Sequence, residues 1–134
     1  MGFFNLFKSE TSGGSNEPDI WNHPQDHNSI DAILNDKESV HIIFKHSYRC
    51  ITSISILNRL KPQLELFSRN ATLHFIDVVK DRSLSQYIAQ KTGIIHDSPQ
   101  CIILHKGQVF WHESHGGIVP DIVFECLSEL SNSN

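Results

Sequence analysis

Basic residues are in short supply in this 134-residue chain: 11 lysines and arginines stand against 15 aspartates and glutamates. The formal net charge of −4 argues against the basic face that general nucleic-acid binding requires. Long apolar runs are missing too, and none approaches the ~18 residues of a membrane-spanning helix. Cysteine is scarce. Three residues make an odd, low count that does not suit a secreted disulfide framework and fits a reducing compartment, so a cytoplasmic protein is expected. The opening Met1-Gly2-Phe3-Phe4-Asn5-Leu6-Phe7-Lys8 has no basic leader, and Asn5 breaks its short apolar stretch, so no signal peptide is expected. Leu6 stands where a myristoylation signal wants Ser or Thr.

What remains is a globular composition, 39% apolar and 19% charged, of a length that suits one domain. Residues 9–19 are rich in Ser, Gly, Asn and Glu and read as a flexible linker. With the Phe-rich tip before it, residues 1–19 form an N-terminal segment ahead of a domain over 20–134. The tip is a frayed terminus, or a segment that docks on the domain or a partner.

From Ser29 the apolar spacing becomes periodic. Ser29 is a cap-type residue, and Ile30, Ile33 and Leu34 share a helical face. Val40–Phe44 is an apolar, β-branched run that suits a strand covered on both sides. Leu57, Leu60, Leu64 and Phe67 make one stripe of a helix over about 50–68, which Pro62 should kink. Leu73–Val79 reads as a second buried strand. Ser83-Leu84-Ser85-Gln86 has the form of a capping box, and Gly93 suits the stop of the helix behind it. Cys101–His105 and Gln108–His112 flank Lys106-Gly107 as a β-hairpin. A last helix over about 119–130 buries Ile122, Val123, Cys126, Leu127 and Leu130. A β-α-β unit followed by a helix and a β-β-α unit predicts an α/β, thioredoxin-like fold. Its central mixed four-stranded sheet is flanked by helices.

The chemistry gathers at Lys45-His46-Ser47-Tyr48-Arg49-Cys50-Ile51-Thr52-Ser53, where a buried strand runs into a helix. In open α/β sheets, ligands collect beyond the carboxyl ends of the strands. A thiol at a helix N-terminus faces unpaired N–H groups and the positive end of the helix dipole. Both favour thiolate and should bring Cys50 below the free value of ~8.5. Arg49 adds a neighbouring charge, and Lys45 and His46 add theirs if they point the same way. Ser53, one turn on, can offer its hydroxyl to the sulfur. Because Ser53 stands where a Cys-x-x-Cys pair would have its second thiol, Cys50 can form a mixed disulfide but lacks the usual resolving partner.

Ser98-Pro99-Gln100 precedes the hairpin, where this element order expects a cis peptide beside the nucleophile. There Ser98 and Pro99 would shape a substrate groove, with the Ser98 backbone free to pair with an extended substrate. Cys101 and Cys126 read as structural, although Cys101 is a candidate slow resolving thiol if its strand lies close. Of the nine histidines, His96, His112 and His115 form no established metal frame and read as scattered surface residues, so no metal site is assigned.

Taken together, Phe44-Lys45-His46-Ser47, Cys50-x-x-Ser53, His96-x-Ser98-Pro99-Gln100 and His112-x-Ser114-His115 resemble the YtxJ-type monothiol bacilliredoxins over about residues 20–118. The resemblance implies a cytosolic thiol–disulfide oxidoreductase of thioredoxin fold, with no bound cofactor and with bacillithiol as co-substrate. Its partners would be S-thiolated client proteins and a low-molecular-weight thiol. By the same resemblance Cys50 is the nucleophile and Pro99 the active-site proline. Ile51-Thr52 stand where the family more often has Pro or Ser followed by Ile, which bears on partner choice more than on the attack. Two other readings stay open: a non-catalytic thioredoxin-like module that holds a partner peptide with Cys50 inert, and a metal-binding protein using Cys50, His46 and other histidines.

Overall fold

The computed structural model describes residues 19–132, so the expected linker and Phe-rich tip lie almost wholly outside the described residues. The elements run α1 (His27–Asn35), β1 (Val40–His46), α2 (Ile51–Leu60), a 3-10 turn (Lys61–Gln63) and α3 (Leu64–Ser68). They continue with β2 (Thr72–Asp77), α4 (Arg82–Thr92), β3 (Gln100–His105), β4 (Gln108–Ser114), a 3-10 turn (His115–Gly117) and α5 (Pro120–Asn132). The sheet order is β2-β1-β3-β4, with β1 parallel to β2 and antiparallel to β3, and β3 antiparallel to β4. This is the mixed four-stranded arrangement that the element order predicts. No helix among the described residues is long and apolar enough to cross a membrane.

Alternation along β1 sorts the core into two layers. Ile42 and Phe44 meet Ile56, Leu57 and Leu60 of α2, Leu64 and Phe67 of α3, and Val123 and Leu127 of α5. Ile43 meets Ile30 and Ile33 of α1 and Leu84 and Ile88 of α4 on the opposite face. Pro62 acts as its chemistry dictates: it sits at the start of a 3-10 turn that splits the expected long helix into α2 and α3. The hairpin turns at Lys106 and Gly107, both at positive φ. A Cβ on Gly107 would come within 2.5 Å of the Leu34 carbonyl oxygen, so the turn packs against α1.

Three local expectations are corrected. The cap of α1 is Asp26, whose side chain accepts from the Ser29 N–H; Ser29 itself lies inside the helix. The Ser83–Gln86 capping box does not form, because α4 starts at Arg82 with Asp81 as its cap residue. Asp77 is the cause. Its carboxylate accepts from the N–H groups of Val79 and Lys80 and its carbonyl from Asp81. This turn ends β2 at Asp77, short of Val79, and starts the helix before Ser83, whose hydroxyl bonds His27 instead. The histidines are not all at the surface either: His41, His46 and His74 are buried.

Two of these form a relay near the amino ends of β1 and β2. The Asn22 amide lies 3.2 Å from His74 Nδ1, His74 Nε2 lies 2.9 Å from His41 Nδ1, and His41 Nε2 lies 2.7 Å from Asp36 Oδ2. One set of neutral tautomers satisfies every atom: Asn22 donates to His74, His74 donates to His41, and His41 donates to the carboxylate. Burial, followed by the neighbouring His41, pushes His74 down from 6.5 to about 4. The unfolded chain therefore binds a proton between these values that the folded chain refuses, so stability is complete above 6.5 and falls toward 4. Denaturant unfolding should lose up to about 3 kcal/mol through this group as pH falls through that window. The dependence should be visibly shallower in His74→Asn; an identical slope would remove the relay from the account.

Candidate active site

Parallel pairing brings the carboxyl ends of β1 and β2 together, with His46 opposite Asp77. Lys45 stands opposite Gln100 across the antiparallel pair, so the start of β3 and the loop before it share that end of the sheet. Cys50 follows directly as the cap residue of α2, in extended conformation. Ser47 sets this turn. Its carbonyl accepts from the Cys50 N–H at 3.2 Å and its hydroxyl from the Arg49 N–H at 3.2 Å. Its own N–H donates to Ser53 Oγ at 3.3 Å, which ties the loop to the first turn of the helix.

The three cysteines occupy different environments. Cys50 is half-buried, whereas Cys101 and Cys126 are buried. The sulfur of Cys50 makes no cap hydrogen bond within contact distance, but the N–H of Ser53 foremost, and then that of Thr52 with the hydroxyls of both residues, hold its thiol below the ordinary value. Burial pushes the Cys101 thiol up to about 12, and burial with Glu129 and Glu125 raises Cys126. A resolving role for Cys101 would therefore need a thiol that resists ionisation. Thr52 is a contributor that the spacing argument did not pick out, although its place in the first helical turn was the available signal.

The charged neighbours divide. The Arg49 side chain is exposed beside Cys50, and the groups that stabilise the thiolate are Ser53 and Thr52. Of the two residues that would add charge if they pointed toward Cys50, Lys45 does not: it shares the face of Ile43 and bonds Ser85 of α4. His46 stays on the α2 side, fully buried among Phe44, Tyr48 and Phe75, with its two ring nitrogens unpartnered. Burial lowers its pKa, so it sits there as a neutral ring.

The Ser98–Pro99 peptide is cis. Ser98 Oγ lies 3.4 Å from Ser53 Oγ, so the cis-proline loop touches the helix that carries Cys50. Gln100 anchors the loop from beneath by donating to the Ile95 carbonyl at 3.0 Å. The Ser98 N–H is not free, since it donates to Asp97 Oδ1 at 2.8 Å, and the same oxygen holds His115 Nε2 at 3.0 Å. To either side of Cys50 along the chain, Tyr48 and Ile51 are exposed, at 62% and 84%. Among the described residues no group of three His, Cys, Asp or Glu side chains is arranged to hold a metal ion.

A cysteine that caps the helix after β1, on a helix whose Ser53 meets Ser98 of the loop before β3, is the arrangement of a thioredoxin-fold thiol protein. Solved structures agree on the fold. A protein described as having a thioredoxin fold matches with a TM-score of 0.68 at 24% identity, over 80% of this chain and 93% of its own. Thioredoxin from Trypanosoma brucei brucei matches at 0.66 and 12% identity, over 84% of this chain and 91% of its own. Malassezia sympodialis thioredoxin matches at 0.64 and 13% identity, over 88% and 97%. The family model of the monothiol bacilliredoxin BrxC matches residues 23–123, so the chain belongs to the monothiol bacilliredoxin family and to thiol redox chemistry.

The rate of alkylation by iodoacetamide should follow one titration, assigned by peptide mapping to Cys50, with a midpoint below the ~8.5 of a free thiol. Ser53→Ala should move that midpoint upward but not to the free value, because the backbone N–H groups remain. A wild-type midpoint at or above ~8.5 would contradict the stabilised thiolate.

Proposed function

We propose that this chain is a monothiol exchange protein that removes bacillithiol, or a similar low-molecular-weight thiol, from mixed disulfides on client proteins in a reducing, cytoplasmic setting. The observation that carries the reading is the contrast among its thiols: Cys50 is accessible and lowered, while Cys101 and Cys126 are buried and raised.

The Cys50 thiolate attacks the small-thiol sulfur of the client's mixed disulfide. The Cys50–small-thiol disulfide forms, the client sulfur leaves as thiolate and takes a proton from water, and no net oxidation occurs. A second molecule of the small thiol, as thiolate, then attacks that sulfur. The products are the oxidised small-thiol dimer and the Cys50 thiolate. The helix N–H groups stabilise Cys50 before the first attack and as leaving group in the second. Ser53 steadies the Cys50 turn, Ser98 and Pro99 form the opposite wall, and Arg49 lies at the rim. Tyr48 and Ile51 offer the client an apolar surface.

Cys50→Ser should abolish release of the small thiol from a modified client, measured by intact mass, whereas Cys126→Ser should leave release in place. Full activity in Cys50→Ser would overturn the proposal. Tight client binding with no release by the wild type would favour the non-catalytic module.

A further inference from the structure

Lys45 is a fully buried cation on the α4 side of the sheet. Its Nζ donates to the Ser85 carbonyl at 3.1 Å and lies 3.3 Å from His96 Nδ1. Asp97 reaches it through its field, but no ion pair joins the two among the described residues. A buried ammonium without a contacting carboxylate is costly to keep, so what it contacts is informative.

An ammonium has donors alone, so the ring nitrogen facing it must be the bare lone pair, which places the His96 proton on Nε2. Ser85 Oγ, 2.9 Å from the same Nδ1, is a second partner. Lys45 and Ser85 thus set both the orientation and the tautomer of a side chain that is itself exposed. No described residue takes the Nε2–H. Burial foremost, then Lys45 and Arg82, act against an imidazolium and outweigh Asp97, which favours it, so His96 presents a neutral donor with Lys45 and Arg82 in its surroundings.

The place of this donor follows from the topology. Lys45 stands opposite Ile76 of β2 and Gln100 of β3, at the sheet end where Cys50 sits. Arg82 begins α4 just beyond β2. His96 lies in the cis-proline loop, two residues before the Ser98 hydroxyl that meets Ser53. The acid of this loop, Asp97, is already engaged by His115 and the Ser98 N–H.

We propose that His96, set by Lys45 and Ser85 and flanked by Arg82, is a subsite for a carboxylate carried by the small thiol that Cys50 exchanges. The proposal rests on the exchange function given above and adds the ligand chemistry. A carboxylate gains from both the fixed N–H and the two cations; a neutral acceptor gains little from the charges, and an ammonium is repelled.

The test uses the full chain and one single-cysteine client carrying either glutathione, which has carboxylates, or 2-mercaptoethanol, which has none. The wild type should transfer the glutathione adduct faster. His96→Phe should cut the glutathione-over-mercaptoethanol ratio by about tenfold, the scale of one lost charge-assisted hydrogen bond. His96→Gln, which keeps an N–H near the Nε2 position, should restore much of it. Lys45→Met should lower the ratio while nitrogen-15 spectra show His96 losing its single Nε2–H tautomer. An unchanged ratio in His96→Phe overturns the subsite, as does an equal fall for both adducts, which would mean a structural role or a carboxylate on the client. If the wild type transfers neither adduct, the exchange function is judged by the release of the small thiol from a modified client described above. The subsite is then decided by titration: reduced glutathione should shift the His96 Nε2 resonance and 2-mercaptoethanol should not, and equal or absent shifts overturn it.

Discussion

The passage from Lys45 to Ser53 constrains everything else in this molecule. A strand buried on both faces must end, reverse and enter a helix within four residues, and its polar backbone groups need partners as it does so. Ser47 supplies them through its hydroxyl, carbonyl and N–H. The consequence is that Cys50 becomes the cap residue of α2, where the first-turn groups of Ser53 and Thr52 hold its thiol below the ordinary value. A cysteine one position earlier would belong to the loop, and one a turn later would lie along the helix, with amides already engaged.

The two faces of β1 carry different duties from that point. On the α2 side the residues are apolar or aromatic, and even His46 is held as a neutral ring among aromatic neighbours. On the α4 side Lys45 brings a buried charge that organises His96 and, through it, one flank of the cis-proline loop. The thiol chemistry and the polar network therefore meet at one end of the sheet while lying on opposite sides of it.

The elements were readable wherever short-range spacing decides. The apolar stripe of α2 and α3, the Pro62 break, the Gly93 stop and the hairpin at Lys106-Gly107 all follow from contacts within a few residues. The misplaced helix starts are of one kind. Ser29 and Ser83 each look like a helix cap, yet Asp26 and the Asp77 turn start those helices earlier. A carboxylate able to take several N–H groups at once outcompetes a hydroxyl a few positions on.

Sequence alone determined which segments are strands and helices, that Cys50 opens a helix after a buried strand, and that a proline precedes β3, because each depends on neighbours along the chain. Tertiary structure decided which helix covers which face of β1, and so that Lys45 turns away from Cys50. It also joined Lys45 to His96 across 51 residues and Ser53 to Ser98 across 45. Such pairings depend on strand register and helix docking, which arise when the whole sheet buries its two apolar faces together, and no local pattern encodes them.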